Sequence, residues 1–366
     1  MWHKPYGKTG KQVSVIAFGG MRFPTPENLD ASAELVLHAH SQGINYFDTA
    51  PYYCQDKSED IMGRAFLALP RDSFYCSTKC GVASGEEMQK SLERSLQRLH
   101  VDYIDFFHVW CLLWPHQLQE RLAGGAIAAL QKAREQGLVR HIVVSSHLPG
   151  EEIVKVLDSG LFEGLTLGYN PLNFTYRAAA LEAAQRHGIG VVTMNPLGGG
   201  VIPKNAQRLA FLKGPGDRDV VQAALRFNIS QPAITTALVG FASKAEIDQA
   251  VEAVNGFQPY PAEHIERLKS QVGVRFDDLC TGCGYCLPCA AGVEIPRLMD
   301  AFNQKILEGN DQAILERLKW QWDLTADKAA ACNLCGECEA ACTQHLPIRD
   351  RLKAIAALAP QKPPSA

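Results

Sequence analysis

The chain has 366 residues, 46% of them hydrophobic and 20% charged, with a formal net charge of -3 at pH 7. This composition fills a sizeable core and excludes a disordered chain, and the charge balance excludes a nucleic-acid binder held by broad phosphate contacts. No apolar run is long enough to span a bilayer, and the start, MWHKPYGKTG, lacks the apolar core of a secretory signal, so a cytoplasmic protein without membrane or nucleic-acid partners is expected.

From about Val13 to Asn255 short apolar runs alternate with amphipathic segments. The candidate strands are VSVIAFGG, INYFDTA, FYCSTKC, DYIDFFHVW, VRHIVVSS, GLTLGYN, GIGVVTMNPL and AITTALVG. Between them lie helical patterns such as ASAELVLHAHSQ, EEMQKSLERSLQRL and QERLAGGAIAALQKAREQG, and Gly43, Gly137 and Gly188 mark helix stops. Eight strand–helix units over about 250 residues predict an α/β fold, a (β/α)8 TIM barrel, with a doubly wound sheet as the competitor. The stretch NGFQPYPAEH (Asn255–His264) reads as a linker, dividing a barrel at 1–258 from a mostly helical domain at 259–366. The final QKPPSA is expected to fray.

Chemistry in such a barrel sits at the C-terminal ends of its strands. NYFDTAPYY places Asp48 at a strand end and Tyr53 in the following loop, STK brings Lys79, and DFFHVW brings His108. Reducing a carbonyl needs a hydride on carbon and a proton on oxygen. A tyrosine near its ordinary pKa of about 10 is a poor acid at neutral pH, and a neighbouring ammonium makes it a better one. A carboxylate beside the lysine keeps that ammonium charged and oriented.

These residues, with the frame YFDTAPYY…SED…GRAF and the later RHIVVSS, YNPLN, NPLGGG and VGFAS, resemble the aldo-keto reductase family over roughly residues 4–255. The resemblance implies an NAD(P)H-dependent oxidoreductase acting on a small carbonyl or alcohol substrate. It makes Tyr53 the general acid, Lys79 its partner and Asp48 the lysine's anchor. The family's active-site histidine stands five residues after the aspartate of YID, where this chain has Trp110. His108 reaches the substrate from deeper in the barrel, or Trp110 lends its indole N–H, or His108 is a hydrogen-bonded core residue.

For NADP(H) or NAD(H) the resemblance implies Ser145, Ser146 and Asn170 at the nicotinamide carboxamide, with Met194 where many members stack a tyrosine. Pro196, Leu197 and Gly198 lie in NPLGGG, whose glycines let backbone amides approach a pyrophosphate. Gly240, Ser243 and Lys244 fall near an adenosine 2′-phosphate at a helix start, although Glu246 is an uneasy neighbour for that phosphate. Cys76 and Cys80 alternate with Lys79 on one strand and are expected to face the helices.

There are 12 cysteines, and eight are crowded into the last quarter. In a reducing cytosol such clustering signals metal or redox chemistry rather than disulfides. Cys280, Cys283, Cys286 and Cys289 are spaced C-x2-C-x2-C-x2-C, and Cys332, Cys335, Cys338 and Cys342 are spaced C-x2-C-x2-C-x3-C. Three thiolates at two-residue intervals cap three corners of a cubane, the fourth corner comes from elsewhere, and in two-cluster ferredoxins the fourth cysteine of each run serves the other cluster. Two [4Fe-4S] clusters are therefore expected, one on Cys280, Cys283, Cys286 and Cys342, the other on Cys332, Cys335, Cys338 and Cys289. Tetrahedral zinc is the competitor, although its motifs come as separated pairs. The runs resemble bacterial ferredoxin motifs. With a helical pattern between them they suggest an appended ferredoxin-like module. A ferredoxin or other electron carrier is then an alternative partner, and two alternative roles follow, electron transfer or redox-responsive regulation.

Overall fold

A computed structural model describes residues 1–272 and 278–359. The expected frayed C-terminus lies outside the described residues. The chain divides into two compact units, Met1–Leu197 with Ile202–Gln271, and Gly198–Val201 with Val272–Ala366.

In the first unit, β1 (His3–Pro5) and β2 (Gln12–Ser14) form an antiparallel hairpin. The next eight strands are β3 (Ile16–Gly19), β4 (Tyr46–Asp48), β5 (Tyr75–Cys80), β6 (Ile104–Leu112), β7 (Val139–Ser146), β8 (Gly164–Gly168), β9 (Gly190–Met194) and β10 (Ile234–Val239). They close a parallel barrel in chain order, with β10 returning to β3, so the TIM barrel is the fold and the doubly wound alternative is excluded. Seven of the strands fall within their apolar runs, and β6 runs two residues past its own, to Leu112. Their β-branched and aromatic residues suit strands buried on both faces.

Helix ends obey local rules. Asn28, Asp219 and Ser243 cap the helices Leu29–Ser41, Val220–Ser230 and Lys244–Val254, each accepting a backbone N–H three residues on. Gly188, with φ +67°, ends the helix Ala178–His187 in the left-handed conformation that glycine adopts without strain.

Tyr6, just after β1, is fully buried, with its ring 4.3 Å from that of Phe106 and 6.2 Å from that of Tyr46. Gly164 and Gly190 open β8 and β9 beside it, and a Cβ on either would lie 2.2 Å from the Tyr6 side chain. The hairpin thus contributes to the core cluster of Tyr6, Val13, Ala17, Tyr46, Phe106, Val143 and Val192. The chemistry is left to the opposite, C-terminal ends of the strands.

The stretch expected to be a linker has no helix or strand from Asn255 to Pro261. Tyr260 donates its phenol proton to Asp217, and its ring packs 4.3 Å from that of His264. The helix Ala262–Val272 follows, and residues through Gln271 count with the first unit.

The second unit is helical, with Ile295–Glu308, Gln312–Arg317 and Ile348–Ala356 as its principal segments. Ile295, Leu298, Met299, Ile314, Leu318, Leu352 and Ile355 fill its core. Asp300 accepts from Arg317 at 2.7 Å and from the Trp322 indole at 2.9 Å, fixing the turn after the second of these helices.

Candidate active site

Barrel register sets the first group of polar residues. Asp48 of β4 lies opposite Ser77 of β5, and Lys79 lies opposite His108 of β6. Alternation turns Ser77 and Lys79 inward and sends Thr78 outward, where its hydroxyl donates to Glu59 of the helix Ser58–Phe66 at 2.8 Å. Lys79 Nζ donates to both Asp48 oxygens, at 2.7 and 2.6 Å, and both side chains are only 4% exposed. Ser77 Oγ donates to Asp48 Oδ1 at 2.7 Å.

Tyr53 follows β4 in an unusual turn. Tyr52, Cys54, Gln55 and Asp56 all have positive φ, at 70°, 53°, 56° and 63°, a region that side chains other than glycine rarely occupy. Arg98, from the helix Gly85–Leu99, clamps this segment. It donates to the Asp56 carboxylate at 2.7 Å, to the Asp56 backbone carbonyl, and to both Asp60 oxygens at 2.9 Å. Burial alone would raise Asp56, but the Arg98 contacts hold it below the usual carboxylate range. The turn sets the Tyr53 ring edge-on to Trp110, centroids 5.8 Å apart, with Lys79 Nζ 5.5 Å from the Tyr53 ring centre. A cavity of about 500 Å3 beside this group is lined by Tyr52, Lys79, Cys80, Trp110, Lys90 and Arg94.

His108 has a different setting. It is fully buried, with Nε2 3.0 Å from Ser77 Oγ and 3.8 Å from Asp48 Oδ1. Burial, then the Lys79 ammonium, push the ring well below the ordinary histidine range, against a smaller opposite effect of the Val144 backbone. His108 is thus a neutral core residue behind Asp48, whereas Trp110 stands at the cavity. Sequence reasoning did not single out Ser77 or Arg98. Ser77 had a signal, since it shares the inward parity of Lys79.

The residues expected at a dinucleotide lie after successive strands. Ser145 and Ser146 end β7; the Ser146 hydroxyl donates to Leu112 O at 3.4 Å and accepts the Leu148 N–H at 3.2 Å. Asn170 follows β8, donating to Asn195 O at 3.1 Å and accepting the Leu172 N–H at 2.9 Å. Met194 ends β9, and Pro196, Leu197 and Gly198 follow it, Gly198 with φ +62°. Gly240 follows β10. Ser243 Oγ accepts the Glu246 N–H at 3.3 Å, Lys244 Nζ reaches Glu34 at 3.1 Å, and Glu246 accepts the Ala242 N–H at 2.8 Å. Glu246 thus satisfies a backbone N–H just before the Ser243 N-cap, which accounts for a carboxylate at this helix start.

Two early cysteines are held as neutral thiols. Burial raises the Cys54 thiol, which contacts Gly20 O at 3.5 Å, and burial followed by Asp105 raises Cys76 well above the usual range.

Within the second unit, Cys286, Cys289, Cys332, Cys335 and Cys338 line one cavity of about 180 Å3. Cys280 is pushed up to about 12 by burial, to which Cys283, Cys342 and Cys286 add. Cys286 is pushed up to about 12 by burial and then by Cys283, with Cys342 and Cys338 adding to it. Crowded, buried thiols of this kind suit bound cations, which deprotonate them outright. Among the described residues no three His, Cys, Asp or Glu side chains close on a single metal ion.

Residues 15–272 match the aldo/keto reductase family. The chain belongs to that family. Residues 279–347 match the 4Fe-4S dicluster domain. Among curated proteins, L-galactose dehydrogenase of Arabidopsis thaliana is 29% identical over 283 residues, 68% of this chain and 86% of that protein. NADH-specific methylglyoxal reductase of Escherichia coli is 28% identical over 216 residues, 53% of this chain and 62% of that protein. Among solved structures, an aldo-keto reductase from Bacillus halodurans in its holo form superposes with a TM-score of 0.66 at 23% identity, covering 74% of this chain and 96% of that one. The chain is thus an aldo-keto reductase-type oxidoreductase with an appended dicluster domain. The family uses nicotinamide cofactors on small carbonyl substrates. No helix among the described residues is long and apolar enough to cross a membrane.

Proposed function

We propose that the barrel reduces a small carbonyl compound, or oxidises the corresponding alcohol, with NADP(H) or NAD(H). The observation that carries this reading is the bidentate Lys79–Asp48 contact, 2.7 and 2.6 Å, beneath the Tyr53 ring. The nicotinamide supplies or accepts the hydride. Tyr53 gives its phenol proton to the carbonyl oxygen, and Lys79, oriented by Asp48, stabilises the phenolate that remains. Trp110 walls the substrate side of Tyr53 and donates its indole N–H where the family's histidine would.

Ser145, Ser146 and Asn170 orient the carboxamide, and Met194 packs on the ring. Pro196, Leu197 and Gly198 follow the pyrophosphate. Gly240, Ser243 and Lys244 lie toward the adenosine end. The engaged side chains of Ser243 and Lys244 favour backbone contacts there.

In the domain at 259–366, Cys280, Cys283, Cys286 and Cys342 hold one [4Fe-4S] cluster, and Cys289, Cys332, Cys335 and Cys338 the other. The second set is supported by a shared cavity that Cys286 also lines, and the first by the mutual influence of its thiols. The clusters exchange single electrons, whereas hydride transfer moves two, so the barrel's chemistry is complete without them.

The test is Tyr53→Phe. Turnover of a carbonyl panel with NADPH and NADH should fall by at least about a hundredfold, with nicotinamide binding retained, the scale of a lost general acid. Unchanged turnover in the variant would remove Tyr53 from the chemistry.

A further inference from the structure

The two side chains behind Asp48 take no part in the proton transfer proposed above, yet they are placed with respect to it. Ser77 Oγ has one proton and gives it to Asp48 Oδ1 at 2.7 Å. Its lone pairs then face His108 Nε2 at 3.0 Å, and Nδ1 is buried without a hydrogen-bond partner, so the geometry puts the ring proton on Nε2. A histidine with its proton on Nδ1 would need the same serine proton and leave Ser77 Oγ facing the Asp48 carboxylate with nothing between them. The carboxylate, ion-paired and almost wholly enclosed, thus accepts two hydrogen bonds from Lys79 and one from a serine that is itself polarised.

We propose that Ser77 and His108 are positioning residues. The chain His108 Nε2–H to Ser77 Oγ–H to Asp48 Oδ1 fixes the carboxylate's charge and orientation toward Lys79. It thereby sets the pH range over which Tyr53 donates its proton. No covalent step is involved, and the proton that reaches the substrate comes from Tyr53.

The surroundings favour this arrangement. Tyr46 of β4 and Tyr6 lie on the inner side, and burial raises both phenols so that they stay neutral. Cys76 and Glu59 lie on the outer face of β5, the first a protonated thiol and the second bonded to Thr78. Lys79 is therefore the cation that faces this chain directly. It also opposes protonation of His108, as burial does. At the position five residues after Asp105, Trp110 leaves room for no histidine at the cavity, and the imidazole stands two residues earlier, in the core.

The inference rests on the proposed roles of Tyr53 and Lys79, and its test separates the two. Nitrogen-15 NMR of the imidazoles, with His108 assigned by its loss in His108→Gln, should show one ring protonated at Nε2 that does not titrate between about pH 5 and 9. A proton on Nδ1, or a normal titration, would overturn the chain whether or not the enzyme turns over.

In kinetics, Ser77→Ala and His108→Leu should lower kcat about tenfold at near-constant KM and move the alkaline limb of the kcat profile upward. An Asp48 carboxylate that has lost this donor is more basic, draws the Lys79 proton toward itself and leaves less positive charge at Tyr53. His108→Gln keeps an N–H donor and should recover most of the loss. A limb that stays put in folded Ser77→Ala, or no difference between Gln and Leu at 108, would reduce both residues to packing. A wild type that turns over no carbonyl would instead remove the proposed function, with the ring-proton result still standing.

Discussion

Lys79 Nζ meets both carboxylate oxygens of Asp48 across neighbouring strands of the barrel, and neither side chain is more than 4% exposed. A buried pair of this kind constrains both stability and chemistry. Losing one partner strands a charge away from water. Asp48→Asn should therefore cost roughly 3 kcal/mol of stability, the usual penalty for breaking a buried pair. It should also lower kcat at least tenfold. Urea unfolding together with steady-state kinetics checks this. A variant of wild-type stability would mean that water reaches the Lys79 ammonium.

Arg98 offers a separate handle on Tyr53, because it touches the turn rather than the reacting groups. Arg98→Leu should release the left-handed segment from Tyr52 to Asp56. The expected result is a kcat loss of about tenfold with a stability loss of roughly 3 kcal/mol, because Arg98 also lies 3.5 Å from the fully buried Glu59 carboxylate, which its removal strands. Full activity would show that the turn holds itself.

His108 gives stability a pH dependence. Its ring is held well below the ordinary range in the folded protein, so between that depressed value and about 6.5 the unfolded chain binds a proton that the folded one does not. Stability should then fall as pH drops below about 6.5, with this group contributing up to about 1.4 kcal/mol per pH unit. His108→Gln should flatten that slope in thermal unfolding followed from pH 7 to 5. An unchanged slope would assign it to other groups.

The second unit carries its own test. Arg351 is buried, donates to Asp278 O at 2.7 Å, and lies close enough to Cys280 and Cys342 to be influenced by both. A fixed positive charge favours the reduced state of a neighbouring cluster. Arg351→Gln should lower one midpoint potential by on the order of 50 mV in an anaerobic EPR-monitored titration, leaving the other nearly unchanged. Equal shifts in both would place the arginine between them.

The sequence pattern carried the barrel because parallel strands buried on both faces read as separate apolar runs, and Val139–Ser146 matches its run residue for residue. That Asp48, Lys79 and Tyr53 lie together at one end of the barrel was legible from strand ends and chemistry. The setting of His108 was not, since it depends on Lys79 lying opposite His108 and Asp48 opposite Ser77, a register that only barrel closure sets. The turn around Tyr53 was hidden because its positive φ angles fall on tyrosine, cysteine, glutamine and aspartate rather than glycine. Asn255–His264 read as a linker because glycine and proline mark loops. Its tie to Asp217, 43 residues before Tyr260, is a contact that local composition does not reveal.

The measurement that bears most directly on the account is an anaerobic titration of the iron-loaded protein with NADPH and then NADH, following cluster absorbance before and after a carbonyl substrate is added. The account predicts bound nicotinamide with no bleaching of the clusters, and nicotinamide oxidation that begins only when the carbonyl arrives. Bleaching by the nicotinamide alone, without flavin or mediator, would contradict it, because electrons would then leave the barrel by way of the clusters rather than as hydride to a carbonyl.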